Sequence, residues 1–158
     1  MLRYANFEDL NTLFSIENEV FTKFDSPLSL ANFKYHIKKK QIILIEENKE
    51  VCAYLLFFNY KNTIRLYSLA VSKKHSNKGL ATSLLNYSIE LAKKSNKNLT
   101  LEVRVSNEKA KSIYIKLGFK VIKTLEEYYL DKEDAFKMIL KVVFNILCHH
   151  QISPKILS

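Results

Sequence analysis

The chain is poor in the residues that build linkers, with only two glycines and two prolines among 158 residues. Segments that join independent domains are usually rich in glycine, proline or serine, and neither such a segment nor an internal repeat is found. Hydrophobic residues make up 47% of the chain and aromatic residues 12%, a composition that favours one buried core. We therefore expect residues 1–158 to form a single domain, with residues 144–158 as a C-terminal extension.

Long apolar runs and cysteine clusters are absent as well. The longest apolar run is Val51 to Phe58, far shorter than the roughly 20 residues that span a bilayer, and the N-terminus has no apolar secretory segment. Cys52 and Cys148 match neither a disulfide framework nor a zinc-ligand spacing, and Cys52 is expected to be a small core residue. We expect a soluble, cytoplasmic protein that does not bind membranes.

Arginine is scarce, and lysine carries most of the positive charge. The net charge is +9, but residues 1–50 carry −1 and residues 51–158 carry +10. Strong basicity is typical of nucleic-acid-binding proteins; here the lysines are spread over several segments without a nucleic-acid-binding motif, which favours solubilising surface lysines. The uneven charge fits a protein whose first part meets an amine and whose second part meets a polyphosphate.

Hydrophobic periodicity predicts alternating strands and helices. Strands are predicted at residues 2–5, 41–45, 51–60, 63–71, 98–105, 119–123 and 134–143. Helices are predicted at residues 8–21, from Pro27 to about residue 37, from residue 80 onward and at 108–117, the last capped by Ser106 or Asn107 and closed by Gly118. This order predicts an α/β (α+β) fold with a mixed, mostly antiparallel central sheet flanked by helices.

One of the two glycines, Gly79, lies between an apolar strand and a helix. A strand, a glycine loop and a helix start together point unpaired N–H groups at an anion. Lys73, Lys74 and Lys78 would add attraction for a phosphate. The motifs G-x-x-x-x-G-K-[ST] and G-x-G-x-x-G are both absent, which excludes two common phosphate loops. Spacing alone fits a simple tight turn equally well.

Two segments, LYSLAVSKKHSNKGLATSLL and LTLEVRVSNEKAKSIYIKLGF, resemble the acetyl-coenzyme A binding core of the GNAT N-acetyltransferases. The likeness is densest from Leu66 to Leu140, where it includes LEVRVSN, IYIKLGF and EEYY. Within the family it is greatest for bacterial enzymes that acetylate the N-terminal alanine of a ribosomal protein. The resemblance implies acetyl-CoA as cosubstrate, no metal, and a protein N-terminal amine, such as that of a ribosomal protein, as acceptor.

Other functions are compatible with the same fold. The acceptor could be a small amine or a lysine side chain. The chain could also be a non-catalytic acyl-CoA sensor or a basic ribosome-associated binding module. The oligomeric state cannot be inferred from the sequence.

The resemblance also assigns coenzyme-binding residues. It implies that the end of the strand meets the acetyl group and pantetheine arm through main-chain groups, while the glycine loop wraps the pyrophosphate. The implied residues are Leu69, Ala70, Val71, Asn77, Lys78, Gly79, Leu80, Ala81, Thr82 and Asn107. The family usually has Gln or Arg at the position of Ser76 and Gly at that of Ala81. Because main-chain N–H groups do most of the holding in such loops, we expect at most weaker coenzyme binding.

The reaction needs a base. Acetyl transfer from a thioester requires a neutral amine, donors for the oxyanion and a proton for the thiolate. A protein α-amine, with a pKa of about 8, needs only modest help from a base. Glu102 lies opposite Leu101 and Val103 in a predicted strand, where it could either pair with Arg104 or act as this base. The resemblance implies the catalytic role.

Tyr114 is the candidate acid. It lies in one helical stripe with Ala110, Ile113 and Leu117, a pattern that by itself predicts a core aromatic residue. A phenol with a pKa near 10 is a competent proton donor to a thiolate whose thiol has a pKa near 8.5. The resemblance assigns Tyr114 that role and places the oxyanion at a main-chain N–H near Val71, where we expect the strand to separate from its neighbour.

Further polar residues stay outside the predicted site. Glu17 and Glu19 could receive a cationic amine or form a solvated acidic helix end. Tyr128 and Tyr129 could line the same cleft, as EEYY suggests by its resemblance. Cys148, His149 and His150 are adjacent but lack a second ligand cluster, so no metal site is expected.

Overall fold

The computed structural model describes residues 1–142, which form seven strands and four α-helices. The strands are β1 (Leu2–Tyr4), β2 (Ile42–Glu47), β3 (Glu50–Asn59), β4 (Thr63–Val71), β5 (Asn98–Arg104), β6 (Lys120–Leu125) and β7 (Ala135–Leu140). The helices are α1 (Leu10–Val20), α2 (Leu30–Lys38), α3 (Leu80–Ser95) and α4 (Glu108–Lys116). Along the chain the order is β1-α1-α2-β2-β3-β4-α3-β5-α4-β6-β7. Short 3₁₀ turns at Phe7–Asp9, Lys23–Asp25 and Lys73–His75 join some of them.

The seven strands form one sheet in the order β1-β2-β3-β4-β5-β7-β6. Only β4 and β5 pair in parallel; the other neighbouring strands of the described chain are antiparallel. The predicted mixed, mostly antiparallel sheet is therefore confirmed. None of the helices in residues 1–142 is long and apolar enough to cross a membrane.

Helices cover the sheet on both faces and create two apolar cores. On β3, Tyr54 and Leu56 belong to the core beneath α1 and α2. Leu55 and Phe57, which alternate with them, belong to the core beneath α3 and α4, as expected for a strand that is buried on both sides. Cys52 is fully buried in the second core, which confirms its predicted role.

The predicted start of α2 at Pro27 is wrong. Ser29 caps the helix by accepting a hydrogen bond from the N–H of Asn32 at 3.1 Å. The preceding Leu28 directs its N–H away from the helix, to the carboxylate of Glu17 at 3.0 Å. Ser29 itself is extended, with ψ of 165°, so the helix begins only at Leu30.

β4 has two irregularities in the middle of the sheet, a β-bulge and an early end to its pairing with β5. Leu56 of β3 pairs with Ser68, whereas Phe57 pairs with Leu66, so Tyr67 is an extra residue and forms a β-bulge. Pairing between β4 and β5 ends at Leu66 and Leu101, although both strands continue. The two parallel strands therefore separate beyond this point, as predicted for the region near Val71.

Candidate functional site

A cavity of about 610 Å³ opens where β4 and β5 separate. Its walls come from the end of α1 and the loop after it, from the two separating strands, from the starts of α3 and α4, and from the loop between β6 and β7. The volume lies within the range of small-molecule binding sites. The split in the sheet is thus a cleft that side chains from both halves of the chain reach.

Four of the coenzyme residues predicted from the resemblance line this cavity: Leu69, Val71, Ala81 and Asn107. Ala70 is buried on the opposite face of the sheet, in the core beneath α1 and α2. It could therefore meet a ligand only through its main chain, as the resemblance implied. The rest of the predicted set is the loop and first turn of α3, which adjoin the cavity without lining it: Asn77, Lys78, Gly79, Leu80 and Thr82.

Gly79 adopts a left-handed conformation, with φ of +75°, directly before α3. A Cβ atom at this position would have no protein atom within 4 Å, so the glycine serves the turn and leaves open space beside it. Within the described residues, no side chain caps the first turn of α3. The N–H groups of that turn therefore remain available to an anion, as a pyrophosphate requires.

A lysine of α4 brings positive charge to this helix start. Lys109 of α4 donates to the side-chain oxygen of Asn77 at 2.8 Å, which brings a cation from the far side of the cleft to the loop. Ser76 donates to the carbonyl oxygen of Lys73 at 2.9 Å. The serine that replaces the family's longer side chain thus stabilises the loop internally.

Glu102 lies on the cavity wall with only 11% of its side chain exposed. Its Oε2 accepts a hydrogen bond from Nε of Arg65 on β4 at 3.2 Å. The same guanidinium donates to the hydroxyl of Tyr128 at 3.2 Å. The partner considered from the sequence, Arg104, is the wrong one, because Arg104 is engaged elsewhere.

Arg104 joins the two loops that enclose the outer end of the cavity. It pairs with Asp25 of the loop after α1 at 2.7 Å. It also pairs with Asp131 and Glu133 of the β6–β7 loop, each at 2.9 Å, and its guanidinium lies 3.9 Å from the ring centre of Tyr129. One cation thus holds three carboxylates and fixes both loops over the cleft.

Tyr114 of α4 lines the same cavity as Glu102. Its ring also packs against the core, with its centre 5.8 Å from that of Phe119. The core position that the apolar stripe predicted is therefore correct, although the residue also reaches the cavity. Burial raises the pKa of Tyr114 to about 12. The phenol is therefore protonated at neutral pH and is a weaker acid than an ordinary tyrosine.

Glu17 is the residue that sequence reasoning missed. Of the two alternatives considered for Glu17, the solvated helix end is wrong, because the residue is 3% exposed and lines the cavity. Its carboxylate accepts hydrogen bonds from the Tyr54 hydroxyl, the Ser68 hydroxyl and the Leu28 N–H. Burial raises the pKa of Glu17. A signal was present: Glu17 follows the buried Leu13 by one helical turn.

Of the other polar residues considered from the sequence, the two tyrosines reach the cavity and Glu19 does not. Tyr128 and Tyr129 both line the cavity, and burial raises the pKa of each phenol. Glu19 is exposed and accepts a hydrogen bond from the N–H of Lys73 at 3.3 Å. Within residues 1–142, no cluster of three His, Cys, Asp or Glu residues could hold a metal. The tail with Cys148, His149 and His150 lies outside the described residues.

Relatives of this chain are acetyltransferases. An N-alpha-acetyltransferase from Sulfurisphaera tokodaii is 35% identical over 122 residues, which cover 67% of this chain and 73% of the relative. A putative [ribosomal protein bS18]-alanine N-acetyltransferase from Bacillus subtilis is 28% identical over 142 residues, or 87% of this chain and 92% of the relative.

Solved structures share the fold. The ribosomal-protein-S18-alanine N-acetyltransferase from Escherichia coli superposes with a TM-score of 0.81 at 24% identity, covering 100% of this chain and 98% of the other. A putative acetyltransferase, yncA, from Salmonella typhimurium, solved with acetyl-CoA, has a TM-score of 0.78 at 20% identity and covers 99% and 98%. The model of the acetyltransferase (GNAT) family matches residues 10–119. Together with the split sheet and the glycine loop, this match shows that the chain belongs to the GNAT family of acetyltransferases.

Proposed function

We propose that this protein transfers the acetyl group of acetyl-CoA to the α-amine of a protein N-terminus by direct attack in a ternary complex. The observation that carries the proposal is one continuous cleft, which adjoins the uncapped start of α3 and is lined by Glu102 and Tyr114. A helix start that could hold a phosphate beside the cavity, and an acid–base pair within it, are what a coenzyme thioester and an amine need.

Two side chains supply the two proton transfers that the reaction needs. The amine nitrogen attacks the thioester carbon, so an N–C bond forms and the C–S bond breaks. Glu102 takes the proton that the amine loses, directly or through a water molecule, while Arg65 orients the carboxylate. Tyr114 gives its proton to the departing sulfur. Main-chain donors on the β4 edge that β5 leaves beyond Leu66 would stabilise the oxyanion.

The acceptor end of the cleft is acidic. Glu17, Asp25 and Glu102 line it, and Arg65 and Arg104 are the facing cations; Arg104 itself is surrounded by three carboxylates. Such an end attracts a cationic amine. An α-amine, with a pKa of about 8, loses its proton more readily than a lysine amine near 10.4, so a single carboxylate suffices as base.

Relatives support a protein acceptor, since those described above are named for N-alpha acetylation and for the alanine of a ribosomal protein. We therefore propose a ribosomal protein N-terminus as the acceptor class. The proposed setting is the cytoplasm, with residues 1–158 acting as one acetyltransferase domain.

The proposal is tested by measuring thiol release from acetyl-CoA with a panel of acceptors. The panel contains peptides with different N-terminal residues, peptides with a blocked N-terminus and one internal lysine, and small amines. We expect release with free N-termini, and mass spectrometry should place the acetyl group on the α-amine. Release only with lysine or small amines would contradict the proposed acceptor. Coenzyme binding without release from any amine would indicate an acyl-CoA sensor.

A further inference from the structure

A row of aromatic side chains runs over the surface from α2 across β3 to β4. We name it the aromatic ridge, and it consists of Tyr35, His36, Phe58, Tyr60 and Tyr67. Successive ring centres from Tyr35 through His36 and Phe58 to Tyr67 are 5.1, 5.3 and 5.1 Å apart, and Tyr60 lies 6.5 Å from Phe58.

The ridge is open to solvent. Tyr35 is 57% exposed, Tyr60 51% and Tyr67 43%. Scattered exposed aromatics need no explanation, but a contiguous patch of this kind is typical of an interaction surface. Tyrosine is well suited to such a surface because it offers a large flat contact and a hydroxyl at low cost in side-chain entropy.

The ridge is continuous with the cleft. Tyr67, placed at the β-bulge, belongs to the ridge and also lines the cavity. The guanidinium of Arg65 lies 5.2 Å from the Tyr67 ring and bonds to Glu102. A molecule that has its reactive end at Glu102 can therefore pass Tyr67 and continue over the ridge towards Tyr35.

We propose that the aromatic ridge binds the acceptor polypeptide behind its reactive N-terminus, as an extended segment with apolar or proline side chains. This inference rests on the proposed function. A polypeptide held by its N-terminus has to leave the cleft, and the bulged Tyr67 offers a contact at the exit. An extended chain advances about 3.3 Å per residue. The ridge would therefore contact about the fourth to ninth residues of the acceptor, counted from its N-terminus.

Charge favours a peptide over RNA as the occupant. Single-stranded RNA also stacks on aromatic rings beside cations, and Lys39 lies 5.7 Å from the ring of Tyr35. The acceptor end of the cleft, however, is lined by Glu17, Asp25 and Glu102. Arg65 and Arg104 pair with Glu102 and Asp25, but Asp131 and Glu133 also surround Arg104. Carboxylates therefore outnumber arginines here, and the net charge disfavours a phosphate backbone that entered from the ridge.

The test compares two peptides with the same first four residues, one a tetrapeptide and the other a dodecapeptide. Steady-state kcat/KM for both is measured with the unaltered protein, Tyr35→Ala, Tyr60→Ala and the double variant. We expect the dodecapeptide to be preferred by about three- to tenfold, mainly through KM, because the longer peptide adds a few buried ring contacts. The ratio of the two kcat/KM values should fall towards one in the double variant.

Phe7→Ala is the matched control, since Phe7 is also exposed, at 55%, and belongs to neither the ridge nor the cavity lining. It should keep the preference. Equal kcat/KM for both peptides, or a preference that survives the double variant, would overturn the proposal. Binding of a single-stranded oligoribonucleotide that the double variant abolishes would also overturn it. Turnover of the tetrapeptide tests the proposed function separately, because that peptide does not reach Tyr35.

Discussion

At the scale of single residues, the site depends on carboxylates whose partners lie far away in the sequence. Glu17 bonds to residues 37 and 51 positions away, Tyr54 and Ser68. Glu102 bonds to Arg65, 37 positions away. From the sequence, Arg104 looked like the partner of Glu102 because it is two residues along the same strand; the parallel pairing of β4 with β5 brings Arg65 there instead.

Glu17 predicts a pH dependence of stability. Burial raises its pKa above the ordinary value of 4.5, so the folded protein holds this proton more tightly than the unfolded chain. The stabilisation of the folded protein by this proton is fully present below pH 4.5 and is lost as the pH rises through the pKa of Glu17 in the folded state. Glu17→Gln removes this titration. The melting temperature of the variant minus that of the unaltered protein should therefore increase from pH 4 to pH 7.

Thermal unfolding followed by circular dichroism at several pH values measures this difference. Glu19→Gln is the control, because Glu19 is exposed on the same helix and no comparable trend is expected. If the Glu17→Gln difference were constant with pH, the buried carboxylate would not titrate as described.

At the scale of elements, local signals located most helices and strands, while tertiary contacts set some of their ends. β4 occupies Thr63–Val71, as the apolar alternation predicted. The start of α2 was misplaced because Ser29, not the residue before Pro27, caps the helix, while Leu28 lies in the loop and bonds to Glu17, 11 positions away. The bulge at Tyr67 likewise follows from the register with β3, which a single strand does not reveal.

Replacing each of the two glycines with alanine should affect stability and coenzyme binding differently. Gly79 has φ of +75° with open space beside it, whereas Gly118 has φ of +101° with Leu140 Cδ1 3.1 Å from an added Cβ. Gly79→Ala should cost about 1 kcal/mol of stability through backbone strain. It should also weaken coenzyme binding by about tenfold or more, since the methyl group fills the space through which a pyrophosphate reaches the main chain.

Gly118→Ala should destabilise the fold at least as much as Gly79→Ala and leave the coenzyme dissociation constant unchanged. Calorimetric titration with coenzyme A and chemical unfolding of both variants separate the two quantities. Equal affinity for coenzyme A in the Gly79→Ala variant would show that the loop does not hold the pyrophosphate.

At the scale of the whole molecule, the fold places the uncapped start of α3 beside one end of the cleft and several carboxylates at the other end. The uneven charge along the sequence anticipated this arrangement, because the lysines of the glycine loop belong to the basic part and Glu17 and Asp25 to the acidic part. The sheet order and the separation of β4 from β5 at Leu66 could be expected only through the family resemblance. Periodicity predicts strands but not their neighbours.

The resemblance also explains why the proposed catalytic pair could be named from sequence. Neither Glu102 nor Tyr114 stands out by pattern, since one resembles a strand carboxylate and the other a core aromatic. The structure brings both to one cavity, 12 positions apart in the sequence.

The central claim is tested most directly by the turnover of Glu102→Gln, measured as thiol release from acetyl-CoA with a peptide acceptor that the unaltered protein acetylates. The affinity of the variant for acetyl-CoA is measured alongside. The account predicts that kcat/KM falls by about 10²- to 10⁴-fold while the coenzyme dissociation constant stays unchanged. Glu108→Gln, at an exposed glutamate of α4, should retain full activity. Unchanged turnover in Glu102→Gln would contradict the assignment of this cleft as the site of acetyl transfer to an amine.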